Sequence, residues 1–284
     1  MNKISVVLMV YNRNEYYREA LDSLKAQSDK DFELVIVTNI GIDYDLSAFK
    51  EVNTIQSPAN LLEAYITGME ATKNEIVAFL DDDDRYASYK ISHLKNEDIE
   101  GYYHNDYYDF GSKEAHSNGK GFNASCIAVK KSAYNGIMEL SQQHPSINYM
   151  PDSVTYWYAI EHNIPVVIDN GKLTYYRHKP YQKMYANLAD TLHKQMAALE
   201  EASKTFKSPE VHEIIREVSI QNQIYLNSLG HYKKISINDL IWLMGRNVTG
   251  KKGKIASYFL SLPLWHGVGV KWMDRIRVQR GVEK

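Results

Sequence analysis

The chain opens on Ile4 to Val10, a near-continuous run of β-branched and apolar residues. That is the pattern of a strand covered on both faces of a parallel sheet. Tyr17, Leu21 and Leu24 follow at helical spacing, with Asn14 placed to cap their helix. Phe32 to Val37 repeats the buried-strand pattern. Ser57-Pro58 predicts a helix start with proline at the first helical position, continued by Leu62, Tyr65, Ile66 and Met69. Glu75 to Leu80 is a third buried strand, and it ends in four consecutive aspartates, Asp81 to Asp84. Strands alternating with helices in this order predict a doubly wound α/β domain with a mostly parallel sheet.

Past residue 99 the pattern loosens. Gly101 to His104 and Cys126 to Val129 read as shorter strands, separated by a polar, glycine-containing stretch from Gly111 to Gly121. Asp152 opens a helix through Val154, Trp157, Tyr158 and Ile160. Ile164 to Ile168 and Leu173 to Tyr176 read as two further strands. Beyond Pro180 the spacing turns helical, first through Met184, Leu188, Leu192, Met196 and Leu199, then through Val211, Ile214, Ile215 and Val218. These shifts divide the chain into residues 1–98, residues 99–180 and a helical C-terminal extension over 181–284.

With 44% hydrophobic and 24% charged residues in 284, the composition is that of an ordinary globular protein. A formal net charge of −2 excludes a nucleic-acid binder that works through bulk positive charge. The lone cysteine, Cys126, can form no internal disulfide, which predicts a reducing, cytoplasmic setting. The first apolar run is short and lacks a small-residue cleavage site, so it reads as a strand and not as a signal peptide. Most of the 22 tyrosines read as amphipathic packing, with a stacking platform for a sugar or base as the sharper alternative. Residues 245–284 carry nine basic residues against two acidic ones, +7 there and therefore −9 over the rest. The same tail holds Trp265, Trp272 and several leucines, interrupted by Pro263, so it is a poor spanning helix. It suits either a segment lying in a membrane interface, on the inner face, or a basic helix docked on the acidic body.

The aspartate run is where chemistry concentrates. In an open α/β sheet the carboxyl ends of the strands face the ligand crevice. Neighbouring carboxylates raise one another's pKa unless a cation neutralises them. A hard divalent ion such as Mg²⁺ or Mn²⁺ takes such oxygens together with substrate phosphates. The bland alternatives are a solvated acidic turn or a structural Ca²⁺ loop, and the position directly after a buried strand favours the substrate-metal site.

The stretch ISVVLMVYNRNEYYREALDSLKAQSDKDFELVIV, with Tyr11-Asn12-Arg13 ending its strand and Ser23-Leu24 and Gln27 on its helix, resembles the opening of family 2 glycosyltransferases. ATKNEIVAFLDDDD is similar to the strand leading into that family's Asp-x-Asp-Asp signature. The resemblance implies a GT-A fold with a nucleotide-sugar-binding half over 1–98 and an acceptor-binding half over 99–180. It implies metal ligation by Asp83 with Asp81 and Asp84, and a donor pocket drawing on Tyr11, Asn12, Arg13, Thr38, Asp81 and Asp82. PDSVTYWYAIEHNIPVVIDNGKLTYYRH matches the later part of the pattern, which makes Asp152 the candidate catalytic base; a helix N-cap is its structural alternative. Arg177 and His178 would then stand near the donor phosphates, as charge clamp and third metal ligand. Thr38 stands where many members carry a base-binding aspartate, and Tyr65 roughly where a basic residue is common.

The expected activity is transfer of a sugar from a nucleotide-diphosphate donor to an acceptor hydroxyl on a glycan or lipid-linked saccharide, with Mn²⁺ or Mg²⁺ as cofactor and with inversion. Acceptor contacts are expected from loops over 105–125 and 140–152. Two other readings compete: a catalytically degenerate partner subunit at the membrane, and nucleotidyl transfer. The second normally needs a glycine-rich loop after the first strand, where this chain has Tyr11 to Glu15 and no glycine.

Overall fold

The computed structural model describes residues 2–58, 60–117, 123–177, 188–231, 233, 235–236, 238–239 and 242. Contacts divide the chain into two compact units, Met1–His178 and Lys179–Lys284.

In the first unit, β1 (Ile4–Val10), β2 (Phe32–Thr38), β3 (Glu51–Gln56) and β4 (Ile76–Asp81) run parallel in the order β3-β2-β1-β4. Both faces of β1 are covered. Ile4, Val6, Leu8 and Val10 pack with Tyr17, Ala20, Leu21 and Leu24 of α1 (Tyr17–Lys25). Val7, on the opposite face, meets Gly68 of α2 (Leu61–Glu70). The near-continuous hydrophobic run is thus the signature of a strand with no wet side.

Beyond β4 the sheet changes character. β8 (Ile127–Lys130) pairs antiparallel with β4 and with β6 (Tyr102–Asp109), and β9 (Val166–Tyr176) runs parallel to β6. β5 (Arg85–Tyr86) closes the edge against β9, and β7 (Ala115–His116) pairs with the outer end of β6. The sheet is therefore mixed, with β1, β2, β3, β4, β6 and β9 sharing one direction, so it stays mostly parallel as expected. The crossover through α3 (Lys90–Leu94) leads into β6, which runs in the same direction as β4, and the chain then turns back as β8 between the two, antiparallel to both.

Several boundaries differ from the sequence expectation for identifiable reasons. α2 begins at Leu61, where the Asn60 side chain accepts from the Glu63 N–H at 3.3 Å. Ser57 lies outside that helix, its N–H committed to the Thr38 carbonyl at 2.8 Å. Asn14 caps nothing, because α1 starts after Tyr16 with no side-chain cap. β3 left no hydrophobic signal because its residues are almost all exposed at the sheet edge. β9 is one strand where two were expected, with a register irregularity opposite Asn105 and Asp106 absorbing the polar residues between the apolar stretches. The segments expected to be acceptor loops are partly regular: β6 runs to Asp109, and α4 (Ile137–Gln143) and a 3₁₀ turn (Pro145–Tyr149) occupy much of 137–149. α5 (Pro151–Glu161) follows, with proline in its first turn.

The second unit is described through α6 (Leu188–Thr205) and α7 (Pro209–Ser228). Leu188 and Leu192, at the start of α6, pack on Tyr225 and Leu226 near the end of α7, so the pair forms a helical hairpin. Met184, His178 and residues 245–284 lie outside the described residues.

The close approach of α2 to the sheet leads to a quantitative expectation. A Cβ at Gly68 would stand 2.5 Å from Val7 Cγ1 and 2.7 Å from Val37 Cγ2. Gly68→Ala therefore lowers stability by about 1–2 kcal/mol, because an overpacking cost of about 1–3 kcal/mol exceeds the gain of up to about 1 kcal/mol in helix propensity. Denaturant unfolding of wild type and variant measures this directly; equal or greater stability of the variant would contradict the packing described.

Candidate functional site

Because β4 is buried to its last residue, Asp81 to Asp84 emerge abruptly at the carboxyl edge of the parallel strands. The Asp84 N–H bonds back to the Asp81 carbonyl at 3.3 Å, which folds the run into a tight turn before β5. The turn brings together carboxylate oxygens of Asp81, Asp83 and Asp84, all within 4.8 Å of one another. Asp82 points elsewhere. It is 1% exposed and is held by Arg13, whose Nε lies 3.2 Å from Oδ2 and whose Nη2 bonds Oδ1. The same guanidinium reaches Asp83 through Nη1 at 3.0 Å.

Each member of the cluster has a distinct environment. Asp81 receives the hydroxyl of Tyr65, from α2, on Oδ1, and its N–H donates to Ser125 Oγ at 2.9 Å. Burial, then the neighbouring charges of Asp83, Asp82 and Asp152, push its pKa up to about 7, against the Tyr65 bond that lowers it. Asp84 is 1% exposed, and burial followed by Asp83 and Asp81 raises it well above the usual carboxylate range. Its Oδ1 accepts the Arg177 N–H at 2.8 Å, whereas its buried Oδ2 has no hydrogen-bond partner. A buried carboxylate oxygen left unsatisfied is costly, and a cation is the natural partner for it. The donor set of three carboxylates, with no sulfur and no imidazole among the described residues of the cluster, fits a hard ion that also takes phosphate oxygens.

An arginine belt surrounds the turn. The Arg177 guanidinium donates to the Asp83 carbonyl at 2.9 Å and to Glu19 at 2.6 Å, and stacks on Phe110 and Tyr16 at 3.8 and 4.6 Å. Arg85 shares the same Glu19 oxygen and lies 4.4 Å from the Phe110 ring centre. Fully ionised, the five carboxylates of Glu19 and Asp81 to Asp84 face three guanidiniums, which leaves two negative charges. One divalent ion balances that excess.

Asp152 sits in the first turn of α5, half-buried. It is not the N-cap; Met150 holds that position without a side-chain bond, and Asp152 Oδ1 accepts from Ser153 N–H at 2.9 Å. Burial pushes its pKa up to about 6 in spite of the backbone bonds that lower it. Its charge acts on Asp81, Tyr65 and Tyr176, which places it beside the same cluster. Tyr176 and Tyr107 pack edge to face at 5.3 Å, with His116 stacked on Tyr107 at 5.5 Å, giving an aromatic wall on this side. Among the described residues most other tyrosines, Tyr86, Tyr102, Tyr103 and Tyr134 among them, are core.

At the ends of β1 and β2 lie the remaining expected residues. Tyr11 is half-buried. Asn12, at φ 57°, clasps Asn39 reciprocally: its N–H donates to Asn39 Oδ1 at 2.9 Å, and Asn39 Nδ2 donates to Asn12 Oδ1 at 2.6 Å. The Thr38 hydroxyl is turned inward, donating to the Ile40 carbonyl at 2.9 Å and accepting from the Ile40 N–H at 3.1 Å. His178 falls outside the described residues. Sequence reasoning missed Glu19, Arg85, Phe110 and Ser125, and read Tyr65 as a helix-face residue standing roughly where a basic residue is common, not as a partner of Asp81. None of them carries a local motif, and their roles exist only through contacts across 16 to 158 positions of sequence.

Comparison with known proteins agrees with this architecture. Residues 5–120 match the family model for glycosyl transferase family 2. The chain is 30% identical over 102 residues to the teichoic acid poly(glycerol phosphate) polymerase of Staphylococcus epidermidis, covering 32% of this chain and 14% of that one. It is 31% identical over 117 residues to the GalNAc(5)-diNAcBac-PP-undecaprenol beta-1,3-glucosyltransferase of Campylobacter jejuni, 37% of each. The chain thus spans well under half the length of these curated relatives. Among solved structures, S. aureus TarS residues 1–349 in complex with UDP-GlcNAc superposes with a TM-score of 0.53 at 14% identity, covering 86% of this chain and 79% of that one. The mannosyltransferase PcManGT of Pyrobaculum calidifontis, in complex with GDP-Man and Mn²⁺, gives 0.53 at 14%, covering 96% and 87%. Residues 5–120 are thus similar to glycosyl transferase family 2, and the fold is the GT-A fold.

Proposed function

We propose that this protein transfers a sugar from a nucleotide-diphosphate donor to an acceptor hydroxyl, with inversion at the anomeric carbon. The observation that carries the reading is the cluster of Asp81, Asp83 and Asp84, with the unsatisfied Asp84 oxygen in it and Asp152 beside it. The three carboxylates would hold Mn²⁺ or Mg²⁺, which supplies neutralisation of the charge that develops on the departing diphosphate. Tyr65 and Ser125 fix Asp81 for that task, and Arg177 fixes Asp84. Arg13 stands at the rim, 41% exposed, able to exchange its hold on Asp83 for a donor phosphate. Tyr11, Asn12 and the inward-turned Thr38 would border the nucleobase.

Asp152 acts as general base. It takes the proton of the acceptor hydroxyl as that oxygen forms its bond to the anomeric carbon and the bond to the diphosphate oxygen breaks. Its half-burial raises its proton affinity towards neutrality, the range in which a carboxylate base works best at physiological pH. The aromatic wall of Tyr107, Tyr176 and His116 suits an acceptor sugar or polyol face. A lipid-linked saccharide or surface glycan as acceptor is supported by the undecaprenol-linked and teichoic acid names among the relatives. Among the described residues no helix is long and apolar enough to cross a membrane. The basic, tryptophan-containing stretch 245–284 supports a peripheral membrane contact.

Two measurements test the reading. Thermal unfolding with UDP, GDP, UDP-GlcNAc and GDP-mannose, each with and without Mn²⁺, should show a Mn²⁺-dependent stabilisation for one nucleotide that Asp83→Ala abolishes. Absence of any shift in wild type would sink the donor site. Asp152→Asn should keep that stabilisation and lose about 10²–10⁴-fold in turnover, the usual worth of a general base. Because the base must be ionised, kcat/KM of wild type should fall as pH drops through about 6. A variant that still turns over at the wild-type rate would remove Asp152 from the chemistry.

A further inference from the structure

Directly beneath the acidic turn lies a charge that the proposed mechanism does not use. Lys90, the first residue of α3, is 0% exposed. Its ammonium has no carboxylate in direct contact. Nζ donates to the Ser125 carbonyl at 2.7 Å and to Thr174 Oγ1 at 3.0 Å, and lies 4.1 Å from the centre of the Tyr86 ring. Burial pulls its pKa down to about 7, while Cys126, Asp84 and Asp169 favour the charged form. An ammonium taken out of water costs several kcal/mol unless its surroundings hold it, so the arrangement needs a reason.

Its partners supply one. The Thr174 hydroxyl donates to the same Ser125 carbonyl at 2.9 Å and accepts from Asn105 Nδ2 at 3.2 Å. Ser125 Oγ takes the Asp81 N–H, and the Tyr86 hydroxyl donates to the Phe79 carbonyl of β4 at 2.5 Å. Thr174 lies on β9, two residues before Tyr176 and three before Arg177, whose N–H and guanidinium hold Asp84 and the Asp83 carbonyl. One ammonium therefore joins the three segments that shape the cluster: the end of β4, the 3₁₀ turn Ala124–Cys126 and the end of β9. We infer that Lys90 is a positioning residue, which sets the separation of Asp81 from Asp84 by tying Ser125 to Thr174 and thereby tunes the affinity of the cluster for a divalent ion with its nucleotide. The inference rests on the donor-site reading above.

Its test turns on sign. If Lys90 acted only as a charge, its removal would strengthen the binding of a cation, because a repelling positive charge would be gone. If it positions the cluster, removal weakens binding. Lys90→Met keeps the length and apolar stem while deleting the donors. The full-length variant is compared with wild type by far-UV circular dichroism, by thermal unfolding without metal, and by titration calorimetry with MnCl₂ in the presence of the nucleotide that stabilises wild type. The expected result is a folded variant whose Mn²⁺–nucleotide affinity is at least about tenfold lower, with thermal stability in the absence of metal changed far less than a fold-wide loss. Unchanged or tighter binding overturns the inference. If Lys90→Met fails to fold, Thr174→Val, which deletes the hydroxyl linking ammonium and carbonyl at nearly constant volume, carries the same test and should show the same loss; wild-type affinity in that variant overturns the inference equally. Failure of wild type to bind any nucleotide with Mn²⁺ is a different outcome: it refutes the donor-site reading and the inference with it.

Discussion

Four carboxylates placed at the end of a fully buried strand repel one another, and much of the first unit is organised around that repulsion. In water, adjacent aspartates are tolerable because solvent screens them. Here Asp82 and Asp84 are almost inaccessible, and in a medium of low effective dielectric the same repulsion is several times larger. The fold answers with positive charge drawn from distant segments: Arg13 from the β1 end, Arg85 from β5, Arg177 from the end of β9 and Lys90 from beneath. It also answers with neutral donors, the Tyr65 hydroxyl and backbone N–H groups. With Glu19, which holds Arg85 and Arg177, five carboxylates face these four cations, and the remaining negative charge together with one unsatisfied buried oxygen suits the cluster to a cation.

The site stands where the sheet changes from parallel to antiparallel. β4 is the last strand of the parallel set and pairs on its other side with β8, which runs the opposite way. Its carboxyl end is consequently bordered by the 3₁₀ turn that leads into β8, and Ser125 of that turn caps the Asp81 N–H. A continued parallel strand would have put another carboxyl end there and no such turn. The parallel pairing of β6 with β9 then returns a second pair of strand ends to the same edge, carrying Tyr107, Tyr176 and Arg177. Most of the residues proposed for the donor thus come from the parallel half, and Arg177, the proposed base and the aromatic wall from the mixed half.

Stability and function share several of the same groups. Glu19 is the one carboxylate held by both Arg85 and Arg177, and the two guanidiniums also cover Phe110. This stack ties α1, β5 and the start of the hairpin after β6 to the turn. Such shared polar networks hold a unique geometry when every member is satisfied.

The buried parallel strands, α1 and α2, and the aspartate run at the edge of β4 were legible in the sequence because they depend on local apolar periodicity and on composition. Residues 4–10, 32–37 and 76–80 bury both faces, and two-sided burial leaves a nearly continuous apolar run, broken only by Ser5 and Glu33, in place of the alternation of a half-exposed strand. The exposed strand β3 left no trace, since an edge strand packs too little to constrain its side chains. The cap of α2 was misplaced by three residues because Ser57 found a partner in Thr38 of β2, a competitor invisible along the chain. The sense of β8 was likewise unreadable, as strand direction is set by where the connection re-enters the sheet. The site divides in the same way. The sequence by itself determined that carboxylates would crowd at a strand end and that Asp152 would open a helix. Only the tertiary structure decided that Asp82 belongs to Arg13, that Arg177 serves Glu19 and Phe110, and that Lys90 lies under the turn, because charge pairing depends on distances between segments and sequence spacing carries none of them.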